Sequence, residues 1–152
     1  MGTLPAYLQH AFATACPPGW SAAAEVALLS DDLAALLGYR PQADLVLTHQ
    51  TGRRIWIEFE ISRADPVANH AKFGTAHLFQ PQAASDSFLA MVSPHVDRGR
   101  RNLAATAVSL LRQVGMAAFQ YACLATPTVK RAEQLNHTQA RCRNYRILCW
   151  IK

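Results

Sequence analysis

The stretch Arg53-Arg54-Ile55-Trp56-Ile57-Glu58-Phe59-Glu60-Ile61 alternates strictly from Ile55 onward. Ile55, Ile57, Phe59 and Ile61 fall on one side of an extended chain, and Trp56, Glu58 and Glu60 on the other. Successive side chains of a strand point to opposite faces, so this is a strand whose wholly apolar face must be buried. Upstream, Asp44-Leu45-Val46-Leu47 is a shorter strand, and His49-Gln50-Thr51-Gly52 has the composition of a turn. Together they predict a hairpin, which folds Asp44 back towards Glu58.

Working outward, Ser21 is placed to cap a helix over residues 22–37. Its stripe is Ala22, Val26, Leu29, Leu33 and Leu36, and Gly38 ends it. Glu25 then lies near the core side of that helix. Residues 1–20 carry no charged side chain and read as a short N-terminal helix or arm. Downstream, Asp65-Pro66 starts a helix that carries Lys72 and runs to about Phe79. Phe88–Val92 reads as a buried strand. A helix follows from Asp97, with Leu103, Ala107, Leu110 and Val114 as its core stripe and Gly115 as its stop. Met116–Leu124 is strand-like, Lys130–Arg143 reads as a loop or exposed helical turn, and Tyr145–Ile151 as a closing strand. The expected order is helix, hairpin, helix, strand, helix, strand, strand. That is an α/β layered domain with a mixed sheet.

The 152 residues suit one globular unit over 1–152. A hydrophobic share of 51% against 16% charged excludes a disordered chain. No apolar run approaches the roughly 20 residues of a membrane span. The first twenty residues hold no Lys or Arg, which argues against a secretory signal. Cys16, Cys123, Cys142 and Cys149 form no C-x-x-C pair. Reduced thiols in a cytoplasmic protein are expected. His70 and His77 share a helix face, but no third ligand stands at usable spacing. The net charge of +5 permits a polyanionic partner.

Within this basic chain the acids concentrate. Of four glutamates, three are Glu25, Glu58 and Glu60. Glu58 and Glu60 project from one strand face, roughly 7 Å apart, and like charges so placed repel. With Asp44 they make a hard-oxygen site of the kind Mg²⁺ prefers. A cation there can activate water. The simpler alternative is a solvated strand face bearing two ordinary glutamates.

Asp44 followed by Glu58-Phe59-Glu60 on an apolar strand resembles the PD-(D/E)XK nuclease superfamily. Gln42-Ala43-Asp44 stands where that family has Pro-Asp, and Glu60 replaces its usual Lys. A Glu at that place is similar to a subgroup of type II restriction endonucleases. Ile61-Ser62-Arg63-Ala64-Asp65-Pro66 followed by Lys72-Phe73 is loosely similar to the helix that follows in that subgroup. The resemblance covers roughly residues 21–95. It implies a restriction-endonuclease-like three-layer core, with a mixed central sheet flanked by helices. It also implies a Mg²⁺-dependent endodeoxyribonuclease, with Mn²⁺ as a substitute cation.

On this resemblance Asp44 and Glu58 would hold the metal, with the Phe59 carbonyl as a further ligand. Glu60 would orient the attacking water or hold a second metal. Glu25 would hydrogen-bond a water at the metal, and Lys72 would face the scissile phosphate. Arg63, Lys72, Arg98, Arg100 and Arg101 are the expected DNA contacts. The three arginines cluster where a helix N-terminus favours an anion. Arg53 and Arg54 lie on the hairpin. A second basic group comprises Lys130, Arg131, Arg141, Arg143 and Arg146. A chain this short would need a homodimer to read a DNA site. Glu60 in place of Lys leaves an alternative: a catalytically inactive DNA-binding or protein-interaction module on the same fold. A weaker third reading is a small-molecule or protein-binding α/β domain.

Overall fold

The alternating stretch becomes the middle strand of a five-stranded sheet. A computed structural model describes residues 3–61, 65–93 and 96–122. In chain order these form α1 (Thr3–Thr14), β1 (Trp20–Ala27), α2 (Asp31–Leu37), β2 (Gln42–His49), β3 (Arg54–Glu60), α3 (Pro66–Phe79), β4 (Ser87–Val92), α4 (Arg98–Gln113) and β5 (Ala117–Ala122). The spatial order is β1-β2-β3-β4-β5. β1, β2 and β3 run antiparallel, whereas β4 and β5 are parallel to β3. The parallel steps need helical crossovers, which α3 and α4 supply. This is a mixed α/β fold, as the element pattern predicts. The expected strand at Tyr145–Ile151, the basic stretch from Lys130, and Arg63 lie outside the described residues.

The central strands β3 and β4 are buried on both sides. On one face Ile55, Ile57 and Phe59 pack with Leu45, Leu47, Leu89 and Met91 beneath Leu8 of α1. On the other, Trp56 packs with Val46, Phe88, Ala90 and Val92 against Phe73 of α3 and Ala104, Val108 and Leu111 of α4. The acids project towards this second, helix-covered face. The solvated strand face is therefore excluded: Glu58 is 3% exposed and Glu60 1%.

Two sequence expectations are corrected. Residues 22–37 are not one helix. Trp20–Ala27 is strand β1, paired with β2 from Trp20↔His49 to Ala27↔Gln42. The alanines favour a helix in isolation, but strand pairing and tertiary packing override that preference. Only Asp31–Leu37 is helical, capped by Ser30 rather than Ser21. Gly38 does end it, at φ +62°, a left-handed position that glycine occupies freely.

The second correction concerns α4. Its buried face is Ala104, Ala107, Val108 and Leu111. Leu103, Leu110 and Val114, expected in the core, are exposed. The small alanines let the helix approach closely, and Leu111 reaches to 3.0 Å of where a Cβ on Gly74 of α3 would stand. The corrected orientation has a direct consequence. Leu111→Ala should cost about 2–5 kcal/mol of unfolding free energy. Leu110→Ala should cost less than about 1 kcal/mol, in the range of ordinary surface changes. Urea denaturation of the two variants checks this, and equal losses would restore the expected stripe.

Candidate active site

Asp44 stands on β2 where its ladder with β3 ends at Leu45↔Ile57. Continued by one step, the register sets Asp44 opposite Glu58. The carboxylate ties itself there, its Oδ2 accepting the Phe59 backbone N–H at 2.8 Å. Phe59 thus contributes its N–H to the acid; its carbonyl was the atom expected to matter.

From the helical side, α3 reaches back over β3. Asp65 caps this helix by accepting from the Val67 and Ala68 amides, with Pro66 in its first turn. Residues three apart on a helix share a face, and Asn69 and Lys72 use that face to meet the alternate acids of β3. Lys72 Nζ donates to Glu58 Oε1 at 2.7 Å, and Asn69 Nδ2 donates to Glu60 Oε1 at 2.9 Å. His70 Nε2 stands 3.4 Å from the same Glu60 oxygen. Burial lowers the His70 imidazole to about 4, so the ring is neutral at pH 7 and this contact is not an ion pair. Glu58 Oε2 and Glu60 Oε2 are buried without a hydrogen-bond partner.

The acids are held in an environment hostile to their charge. Burial, then the charge of Asp44, pushes Glu58 up to about 8, despite the opposing Lys72. Asp44 is raised too, chiefly by burial and further by Glu25, while the Phe59 N–H and Lys72 act to lower it. Glu60 is raised by burial against its bond from Asn69. Desolvation is the leading cause in all three.

Glu25 lies on β1, not on the expected helix, and its charge helps to raise Asp44. Its Oε1 accepts from Gln9 Nε2 of α1 at 2.9 Å, and the same nitrogen donates to the Asp44 carbonyl at 2.8 Å. Asp44, Glu58, Lys72 and Glu25 therefore form one electrostatically connected group, and Glu60 joins it through Asp44 and Lys72. Among the described residues, no three His, Cys, Asp or Glu side chains converge into a ready metal cage.

The chain matches no family model, no curated protein and no solved structure. The site is therefore read from its own chemistry.

The arginines stand apart from this group. Arg98 and Arg101 are exposed at the start of α4, beyond the carboxyl end of β4 and so at the same end of the sheet as Glu60. Arg100 lies 3.4 Å from Asp97, the residue that caps the helix. Arg54 belongs to the opposite end, bound with Trp56 to the buried Asp86. No helix among the described residues is long and apolar enough to cross a membrane.

Gln9, Asn69 and His70 were not expected at the site. Asn69 had a signal: it precedes Lys72 by three, on the face that must meet β3. Gln9 had a weaker one, a lone amide among the apolar residues of α1. His70 drew notice only for sharing a helix face with His77, not as a neighbour of Glu60.

Proposed function

We propose that the protein is a Mg²⁺-dependent endodeoxyribonuclease on a restriction-endonuclease-like core. The observation that carries this reading is a buried carboxylate, Glu58, set across from Asp44, with one oxygen on Lys72 and the other without any partner. A buried carboxyl oxygen left unpaired is costly, and burial resists its charge until a cation or proton is supplied. A fold that keeps one beside a second acid is suited to receive a cation. The antiparallel β1–β3 meander continuing through α3 into a parallel β4 agrees with the proposed core.

The residues fit Mg²⁺ as an open site. This ion typically takes one or two carboxylates, keeps several waters and shares substrate phosphate, so a full protein cage is not needed. Asp44 and Glu58 would hold it, with the Phe59 carbonyl as the further candidate ligand. When bound, it supplies Lewis-acid stabilisation of the phosphoryl charge and makes water a better nucleophile.

The chain's own groups do the rest. Lys72 places a cation beside Glu58, where a phosphodiester would bring negative charge. It stands on α3, so the positive group that Glu60 cannot provide comes from the helix. Glu25, held by Gln9, offers an acceptor for the attacking water. Arg98, Arg100 and Arg101, with Arg63, would hold the DNA backbone, and a homodimer would let so short a chain span a site.

One observation favours the alternative, a non-catalytic DNA-binding or interaction module. Glu60 is fully buried and engaged by Asn69, so it does not reach out to a substrate. The two readings separate in one experiment with end-labelled duplex DNA. In EDTA, both expect binding that weakens steeply with salt as phosphate contacts release counterions. On adding Mg²⁺, the nuclease reading expects strand cleavage leaving 5′-phosphate ends. Salt-sensitive binding without cleavage would select the inactive DNA-binding module, and no binding at low salt would reject the nuclease and DNA-binding readings alike.

A further inference from the structure

Gln9 is a buried polar side chain of α1, 8% exposed, and both hydrogens of its amide are in use. One goes to the Glu25 carboxylate on β1, the other to the Asp44 carbonyl on β2. A single side chain thus joins three elements at the edge of the acidic site.

It does so where the sheet is irregular. The β1–β2 pairing passes from Ala24↔Leu45 to Val26↔Ala43 and skips Glu25 and Asp44 between them. Glu25 has φ +53°, a left-handed conformation that is strained for a residue with a Cβ. Its backbone is held as well, for Gln42 Nε2 donates to the Glu25 carbonyl at 3.1 Å. The alternation of β2 changes at the same point. Leu45 packs on the α1 side, but Ala43 packs on the α3–α4 side. In a regular strand residues two apart share a face. The register is the same on both sides of the gap, so no residue is inserted, and the change lies in the backbone at Glu25 and Asp44.

We infer that Gln9 is a positioning residue of the acidic site. Its amide holds the kink at Glu25 and Asp44 and so aims the Asp44 carboxylate at Glu58 for cation binding. This rests on reading Asp44 and Glu58 as the cation-holding pair. Gln9 touches neither the cation nor the DNA; it acts through Glu25 and the Asp44 backbone.

The test is calorimetric titration of the full chain with Mn²⁺, without DNA, beside thermal melting of the cation-free protein. The parent should bind Mn²⁺. Gln9→Met keeps the side-chain volume and loses both hydrogen bonds. It should bind about tenfold or more weakly, the usual scale for groups that orient a ligand, with melting lower by only the few degrees that two lost hydrogen bonds cost. Glu25→Gly removes the acceptor and relieves the positive φ. It should bind more weakly and yet melt no lower than the parent. Leu8→Ala, next to Gln9 but purely apolar, should melt lower and bind Mn²⁺ as the parent does. A Gln9→Met protein of parental affinity would overturn the inference while leaving the Asp44–Glu58 reading intact. So would a Gln9→Met protein whose binding falls only in step with its melting. A parent that binds no Mn²⁺ would overturn both.

Discussion

Lys72→Met should reduce Mg²⁺-dependent cleavage by roughly a hundred- to a thousand-fold, the cost of losing one positioned charge-stabilising group. The protein should nevertheless stay folded. Breaking a buried ion pair ordinarily costs about 3–5 kcal/mol, because the remaining charge is stranded. Here the remaining group has another way out. Glu58 is already pushed up to about 8 with Lys72 in place. Without the ammonium it takes up a proton instead of staying charged in an apolar setting. The expected stability loss is therefore only ~1–2 kcal/mol, one hydrogen bond and some packing over Phe73. Cleavage rates and urea denaturation of the same preparation check both halves. A variant that cleaves like the parent would remove Lys72 from the site. One that fails to fold would show that the pair is structural.

The second large effect is on stability against pH, in EDTA. Glu58 binds its proton up to about 8 in the folded chain, against an ordinary value of 4.5. Between those values the folded state holds more protons than the unfolded one, so stability falls as pH rises. Its contribution is fully present below pH 4.5 and gone above about pH 8, on the order of 5 kcal/mol in all. Asp44 and Glu60 are shifted in the same direction and add to the trend. His70 opposes it. Its imidazole is lowered to about 4 from 6.5, so its effect raises stability with pH and is complete by about pH 6.5. From pH 6.5 to 8.5 the opposition of His70 is spent, and the Glu58 share of the loss is roughly 2 kcal/mol.

Glu58→Gln keeps an acceptor for Lys72 and abolishes the titration. Across that window the parent should lose about 5 °C more in melting temperature than the variant, at roughly 2–4 °C per kcal/mol for a chain of this size. Parallel melting curves for the two proteins would mean that Glu58 is not held protonated by its surroundings.

Much of the frame was legible in the sequence because its signals were local. The strict alternation at 55–61 needed only the period of a strand. Asp65-Pro66 marked the start of α3 through the missing proline N–H, and the turn residues at 49–52 joined β2 to β3. Asp44 and Glu58 followed from folding that hairpin. Where tertiary contacts decided, the reading failed. The alanines of 22–24 have helix-forming chemistry, and only pairing with β2 makes them a strand. On α4 the larger Leu103 and Leu110 looked like core, but close packing against α3 selected Ala104 and Ala107. Glu25 was expected beside the acids for the wrong reason, from a helix face, and arrives there through a strained strand. Gln9 and Asn69 carried only faint signals, because a single amide gains meaning from what stands across from it.

The central claim is that Asp44 and Glu58 together form a DNA-hydrolysing, cation-dependent site. It is tested most directly by the initial rate of supercoiled-plasmid cleavage in Mg²⁺ for the parent, Asp44→Ala and Glu58→Ala, purified identically. The account predicts cleavage by the parent and a loss of roughly a thousand-fold or more in each variant, as expected when a group central to transition-state stabilisation is removed. Equal rates in all three proteins would contradict it.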